Sequence, residues 1–396
     1  MKLAVIGGGP AGLRAAEVAA TAGAEVTLYE AKSSVGRKFL VAGKGGLNLT
    51  KMEDPTRFSS RYFGPDQPPG LWESLIATFD AEALRDWAAG LGVETFVAST
   101  GRVYPRALKA APLLRNWVKR LRSLKVQFAM RHQWIGITAG SPLKLQFQIN
   151  HETSFVQADA VILALGGGSW PQTGSTGAWT RVLEDLGISI APLVSANCGW
   201  ELAWPPEVLQ LAEGLPLKNC RVRVGEAALN GELLITNYGL EGGAIYQLGP
   251  ALRAQSNPIL TIDFKPDFTV EQLVKKLGSA PVDILETARM RWRLSDAAYA
   301  ILKSRDHIFS AAALAFETKN CVIPLDRPRP LAEAISSAGG IRWSELNSDL
   351  MVRKLPGLFV AGEMIDWEAP TGGYLIQGCF ATGTRAAHSA LDWAKT

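Results

Sequence analysis

Cysteine and histidine are scarce in this 396-residue chain, with four of each, and neither type clusters. Cys198, Cys220, Cys321 and Cys379 form no CxxC pair and lack the close spacing of a disulfide scaffold. They read as free thiols of a reducing, cytoplasmic compartment. His132, His151, His307 and His388 are too scattered for a zinc cluster or an HExxH helix, so no metal site is expected. Charge of one sign is also lacking: 41 Lys and Arg face 37 Asp and Glu, a formal balance of +4. That small excess gives nucleic acid no support as a partner. No apolar run exceeds about ten residues, half of the roughly 20 that a spanning helix needs, so no membrane partner is expected. Near the start, Arg14 and Glu17 interrupt the apolar segment, which reads as no export signal. Serine, histidine and acidic residues show no triad spacing, which leaves a hydrolase unsupported.

The chain is rich instead in small and apolar residues, with 39 glycines, 22 prolines and 47% hydrophobic content. That suffices for two or three packed domains. Its first thirty residues read as a βαβ unit: KLAVIG is a β-branched run, GGGPAG a turn, residues 11–22 an Ala-rich helix and AEVTLYE a second strand. Residues 32–50 lack periodicity and read as a functional loop. Helical patterns follow from Leu71 to Leu91 and from Leu113 to Leu124, then strands at LKVQFAM, KLQFQI and DAVILALGG, the last of parallel-sheet character. Trp179–Leu186 suits a short helix stopped by Gly187. Residues 193–265 alternate in short segments suited to an antiparallel sheet or small barrel, and 269–318 read as short helices. From Gly357 the first type of pattern returns, with GLFVAG as a buried strand and 375–394 as a final helix. The expected organisation is an α/β domain from residues 1–190 and 326–396, interrupted by an inserted substrate domain at 191–325, β-rich then helical.

Gly7, Gly9 and Gly12 give GxGxxG between a strand and a helix. The first glycine allows a tight turn, the second lets a diphosphate approach the backbone, and the third brings helix against sheet. Glu30, at the end of the next strand, is placed to accept from both hydroxyls of an adenosine ribose, and it disfavours a 2′-phosphate, hence NADP, in that site. The diphosphate would meet the positive end of the helix.

Three further glycine clusters stand out. VGRKFLVAGKGGLNLT fails the phosphate-loop pattern, because Lys38 occupies the first glycine position and Gly45 the Ser/Thr position. It reads as a loop passing close to a flat or anionic ligand, with Arg37 or Lys38 supplying charge and Asn48 a paired donor and acceptor. In LALGGGSWPQTGSTG, Gly166 permits close backbone contact with a cofactor, but Gly166, Gly168 and Gly174 do not repeat GxGxxG. No second nucleotide fold for NAD(P)H is visible. In LFVAGEMIDWEAPTGGYLIQG, Gly362 and Glu363 end a strand, while Gly372, Gly373 and Tyr374 precede the last helix, whose N–H groups can stabilise negative charge on a reduced flavin.

Through GGGPAG, GKGGLNLT, GRVYP, GGGSWPQTGSTG, ITNYGLEGGAIY and AGEMIDWEAPTGGYLIQG, the chain resembles the BaiN-like family of bacterial FAD-dependent flavoproteins, also described as aminoacetone oxidase-like or NAD(P)/FAD-dependent oxidoreductases. The resemblance covers nearly the whole chain. It implies a Rossmann-like FAD-binding domain made from both ends of the chain, with an inserted barrel-like and helical part. It also implies Gly7, Gly9 and Gly12 at the diphosphate, Glu30 at the ribose, Gly362 and Glu363 near the ribityl or diphosphate, and Gly373 and Tyr374 near the flavin ring. Many members have GKGRCN in the second motif; here Gly46 and Leu47 stand in the Arg and Cys places while Asn48 remains, which weakens any role for a thiol or guanidinium there.

The activity so implied is hydride transfer through flavin N5, from a donor such as NAD(P)H to a small-molecule acceptor, an enone by resemblance only. Two alternatives use the same fold. An FAD-dependent RNA-modifying protein would employ Arg102, Arg106, Lys109, Arg115, Lys119, Arg120 and Arg122 as a backbone-binding face. A flavin-binding regulatory protein would bind FAD without turnover. No residue is singled out as catalytic.

Overall fold

The computed structural model describes residues 1–43, 45–278, 283–306 and 308–395, so Lys44 of the second glycine loop and His307 lie outside the described residues. Two compact units emerge, one from residues 1–194 with 336–396 and the other from 195–335. Among the described residues, no helix is long and apolar enough to cross a membrane.

The first unit is built on a five-stranded parallel sheet in the order Leu358–Val360, Ala160–Leu163, Lys2–Ile6, Glu25–Glu30, Gln127–Met130. Both faces of its centre are covered, which is why AVIL of Ala160–Leu163 is buried at every position and shows no alternation. Helix Pro10–Thr21 starts with proline at its first turn, where no N–H is needed, and buries Leu13, Ala15, Ala16 and Ala19. Small residues let the C-terminal helix Tyr374–Trp393 cross it closely: a Cβ on Gly383 would stand 2.4 Å from the Ala11 carbonyl oxygen. Truncating fully buried Leu13 to alanine would cost about 2–5 kcal/mol.

Glu17 of the first helix is buried, and its carboxylate accepts from the indoles of Trp87 and Trp117 at 2.8 Å each and from Arg120 at 3.1 Å. Such full pairing is what makes a charge tolerable in a core. It ties the first helix to helices Ala81–Gly90 and Ala110–Ser123.

The helical pattern from Leu71 to Leu91 resolves into two helices, Leu71–Thr78 and Ala81–Gly90, broken where Phe79 turns extended and Asp80 caps the second by accepting from Ala83 N. A hairpin meander, Gln133–Thr138, Leu143–Ile149 and Glu152–Ala158, adds two strands beyond those expected. Its last turn is Asn150–His151, both at positive φ, the conformation that closes a two-residue hairpin. Strand Glu152–Ala158 escapes a period-two reading because Phe155 faces solvent at 55% exposure.

The second unit holds a seven-stranded antiparallel sheet ordered Cys321–Pro324, Ile259–Asp263, Pro216–Val224, Ala227–Thr236, Gly239–Glu241, Trp200–Glu201, Arg327–Pro328. Its two outermost strands are separated in the chain by Leu325 and Asp326 alone, so the sheet must curl back on itself, as a barrel-like sheet does. Helices including Gly243–Arg253, Asp296–Lys303 and Ala311–Lys319 complete a core around Leu217, Val222, Ile235 and Ile262.

Candidate functional site

A cavity opens at the carboxyl ends of the parallel strands, around the first glycine turn. The three motif glycines have different tasks there. Gly7 sits at φ +107°, and a Cβ on it would meet the Ala164 carbonyl oxygen at 2.3 Å; one on Gly12 would lie 2.0 Å from the Gly7 oxygen. These two are required by packing. Gly9 has nothing within 4 Å of its missing Cβ and precedes the helix without a capping side chain, so an open backbone surface and the unpaired N–H groups of the first turn face the cavity.

Glu30 is fixed at the rim by backbone amides: Gly8 N donates to Oε2 and Lys32 N to Oε1, each at 2.8 Å. Each oxygen keeps a free lone pair, enough for the two hydroxyls of a ribose. Gly8 was not among the sequence candidates, although it stands between two of them. A side chain there would strike Val35 at 2.5 Å and crowd Glu30 at 3.0 Å.

Lys38, Gly166, Gly362 and Glu363 line the same cavity, although they come from three distant segments. Lys38 is no free charge. Its Nζ donates to Glu363 Oε2 at 2.9 Å and to Ser169 Oγ at 2.7 Å, so the cation is matched by a carboxylate inside the protein. Gly362 N donates to Thr382 Oγ1 at 3.0 Å, which sets the strand end against the C-terminal helix. Cys379 of that helix also lines the cavity, and burial pushes its thiol pKa upward, keeping it protonated. Arg37, the other charge expected of the second glycine loop, lines the cavity as well, whereas Trp134 and Cys379 carried no motif to mark them.

Asn48, Gly373 and Tyr374 gather in a second cluster. A Cβ on Gly373, at φ +103°, would stand 2.5 Å from the Thr50 backbone, so glycine is needed for the turn to pass strand Thr50–Lys51. The missing Cβ of Gly372 lies 3.5 Å from Arg102 Nε and 3.9 Å from Asn48 Nδ2, and the buried Asn48 Oδ1 has no hydrogen-bond partner among the described residues. The long helix that begins at Tyr374 has no capping side chain, leaving first-turn N–H groups at this turn. The Tyr374 hydroxyl donates to Glu53, with Lys51 Nζ 3.2 Å away. Its ring packs on Phe58 and Tyr62. Burial and the Glu53 carboxylate raise the phenol pKa; Glu53 is held below the usual carboxylate range because Tyr374, Lys51 and Arg61 outweigh its own burial.

The basic face expected along 102–122 is thinner than the sequence shows. Arg106 pairs with Glu94 at 2.8 Å and Arg120 with Glu17 at 3.1 Å. Arg115, Lys119 and Arg122 remain without a carboxylate partner among the described residues and line a shallow groove with Phe128 and Met130.

Two residues that line the cavity, Arg37 and Trp134, each bury an N–H, at Nε and Nε1, that has no acceptor among the described residues. Together with the helix start and Glu30, they form a donor-rich trough with one acceptor at its rim, which fits a dinucleotide carrying a diphosphate and a ribose.

The family profile described as HI0933-like protein Rossmann domain matches residues 1–389. The 3-dehydro-bile acid delta(4,6)-reductase of Clostridium scindens is 28% identical over 419 residues, with 99% of each chain covered. The ribosomal RNA dihydrouridine synthase of Escherichia coli is 23% identical, covering 98% of this chain and 97% of its own. Among solved structures, a 3-ketosteroid-delta4-(5alpha)-dehydrogenase from Rhodococcus jostii RHA1 in complex with 4-androstene-3,17-dione superposes with a TM-score of 0.55 over 100% of this chain and 96% of its own, at 16% identity. That is a likeness of fold.

Proposed function

Because the chain belongs to the HI0933-like Rossmann-domain family, whose members are FAD-dependent oxidoreductases, we propose that it reduces a carbon–carbon double bond conjugated to a carbonyl group, with NADH or NADPH as a transient donor. The observation that carries the cofactor is the Glu30 carboxylate, held by the Gly8 and Lys32 amides beside the open face of Gly9. The reaction class is supported by the two relatives together. A delta(4,6)-reductase acts on a 3-dehydro-bile acid, whose carbonyl lies in conjugation with those bonds, and a dihydrouridine synthase saturates a pyrimidine bond conjugated to a carbonyl.

FAD, when bound, supplies hydride at N5. The chain's residues do the rest. Gly7 and Gly9 shape the diphosphate seat, with Gly12 packing the helix that points its positive end there and Arg37 adding charge. Glu30 holds the adenosine ribose, while the Lys38–Glu363 pair, Gly166 and Gly362 flank the ribityl chain. Asn48 and the Gly372–Gly373 turn, with the N–H groups of the last helix, stand at the ring end, where they stabilise negative charge. Arg102 beside Gly372 would orient the carbonyl oxygen of the acceptor and offset negative charge on it. Tyr374 contributes its backbone and holds the turn through Glu53.

The test is anaerobic absorption spectroscopy of the FAD-loaded protein during titration with NADH and then NADPH, followed by a 3-oxo-Δ4,6 steroid. Bleaching of the oxidised flavin band and its recovery on adding the steroid are expected. No bleaching with either nucleotide removes the donor; bleaching without recovery removes the steroid-like acceptor.

A second reading keeps the chemistry and changes the substrate to uridine in RNA. Unpaired Arg115, Lys119 and Arg122 on one helix favour it, alongside the dihydrouridine synthase relative. Reoxidation of the reduced protein by ribosomal RNA, with binding that weakens steeply in salt, separates it from the first.

A further inference from the structure

Trp134 lines the cofactor cavity beside Tyr29, Glu30 and His132, at the end where the ribose-binding carboxylate stands. It is 7% exposed, and its indole Nε1 is buried without a hydrogen-bond partner among the described residues. The indoles of Trp87, Trp117, Trp179, Trp204, Trp343 and Trp367 all donate to a protein oxygen. Trp200 shares the shortfall but belongs to the second unit and does not line this cavity. A buried donor left unpaired destabilises the fold that holds it, so an acceptor brought by a ligand relieves a penalty already present.

The surroundings narrow the ligand group. Trp134 lies directly opposite Phe147 in the hairpin register, Phe147 stacks on Tyr29 at 4.5 Å, and the Tyr29 and His132 rings are 5.6 Å apart. Tyr29, His132 and Trp134 form an aromatic wall at one end of the cavity, backed by the buried Phe147 and suited to a flat heterocycle. An indole N–H can only donate, so the ring it meets must present an acceptor at its edge. Adenine does, at its ring nitrogens, and Glu30 fixes the attached ribose next door.

Resting on the FAD reading above, we infer that Trp134 Nε1–H donates to a ring nitrogen of the cofactor's adenine, a base contact that joins the Glu30 ribose contact in favouring an adenine dinucleotide over a mononucleotide flavin.

The experiment measures dissociation constants of flavin-stripped protein for FAD, ADP and FMN, in the wild type and in Trp134→Phe, which keeps the aromatic contact and removes the donor. Loss of one hydrogen bond should weaken FAD and ADP by the same factor, about fivefold to tenfold, and leave FMN unchanged. The thermal midpoint of the stripped variant should be equal to or above that of the wild type, since an unpaired donor has gone. FAD binding within twofold of wild type overturns the assignment, as does equal weakening of FAD and FMN, which marks general loosening. If the variant fails to fold, wild-type protein is titrated with FAD analogues carrying 1-deaza-, 3-deaza- or 7-deazaadenine. One of them must bind about fivefold to tenfold more weakly, and equal affinity for all three and FAD overturns the proposal. A wild type that binds neither FAD nor ADP overturns the cofactor reading itself, a result distinct from normal FAD binding that ignores Trp134.

Discussion

Lys38 Nζ and Glu363 Oε2 lie 2.9 Å apart across 325 residues of sequence, joining the second glycine loop to the C-terminal strand end within the first unit. Both side chains are mostly shielded, so removing either leaves an uncompensated charge in poorly solvated surroundings. Lys38→Met should destabilise the flavin-stripped protein by about 1–3 kcal/mol in urea denaturation. Lys38→Met combined with Glu363→Gln should recover part of that loss; strict additivity of the two would show that the pair does not couple.

Gly9 and Gly12 should separate folding from binding. Gly12→Ala forces a methyl to within 2.0 Å of a backbone oxygen and should cost about 2–4 kcal/mol of stability. Gly9→Ala meets no protein atom and should cost about 1 kcal/mol as a poorer cap, yet weaken FAD binding tenfold or more, because the methyl stands where the diphosphate approaches. Thermal melts with and without FAD read both effects, and unaltered FAD affinity in Gly9→Ala would place the diphosphate elsewhere.

The contrast between those glycines shows what a sequence can display. The βαβ unit was legible because parallel strands buried on both faces are continuous apolar runs and the turn between strand and helix admits few residues. The return of the chain to this sheet at Leu358–Val360 was legible for the same reason. Contacts such as Gly8 with Glu30 and Lys38 with Glu363 were not, because they depend on which loops the fold brings together. Nor was the break at Phe79, since one apolar stripe fits a single helix as well as two with Asp80 capping the second. Trp134 sits in strand Gln133–Thr138, which no sequence pattern marks, and its unpaired indole is visible in the structure alone.

Tyr374→Phe tests whether that phenol serves the fold or the cofactor. Removing its donation to Glu53 should cost about 1–2 kcal/mol at neutral pH and leave FAD affinity and the visible flavin spectrum unchanged. Glu53 has a folded pKa below its unfolded value, so its stabilisation is present above about pH 4.3 and lost as pH falls through the folded value. Without the phenol that acid-side loss should be smaller. A shifted flavin absorption band would instead mark Tyr374 as a ring contact.

Asp366 should show the opposite sign. Asp366 is 3% exposed with Oδ2 unpartnered among the described residues, and burial raises its pKa, helped by Glu368 and Asp66 and opposed by Arg342 and the Gly339 amide. Below the unfolded value of about 3.9 both folded and unfolded chains hold the proton. Above it the unfolded chain releases the proton first, so the stability contribution falls with rising pH until the folded carboxyl ionises too. Asp366→Asn carries no such dependence, and its stability relative to wild type should climb between about pH 4 and neutrality. Urea denaturation of both proteins over that range reads the difference, and parallel curves would mean that burial does not perturb this carboxyl.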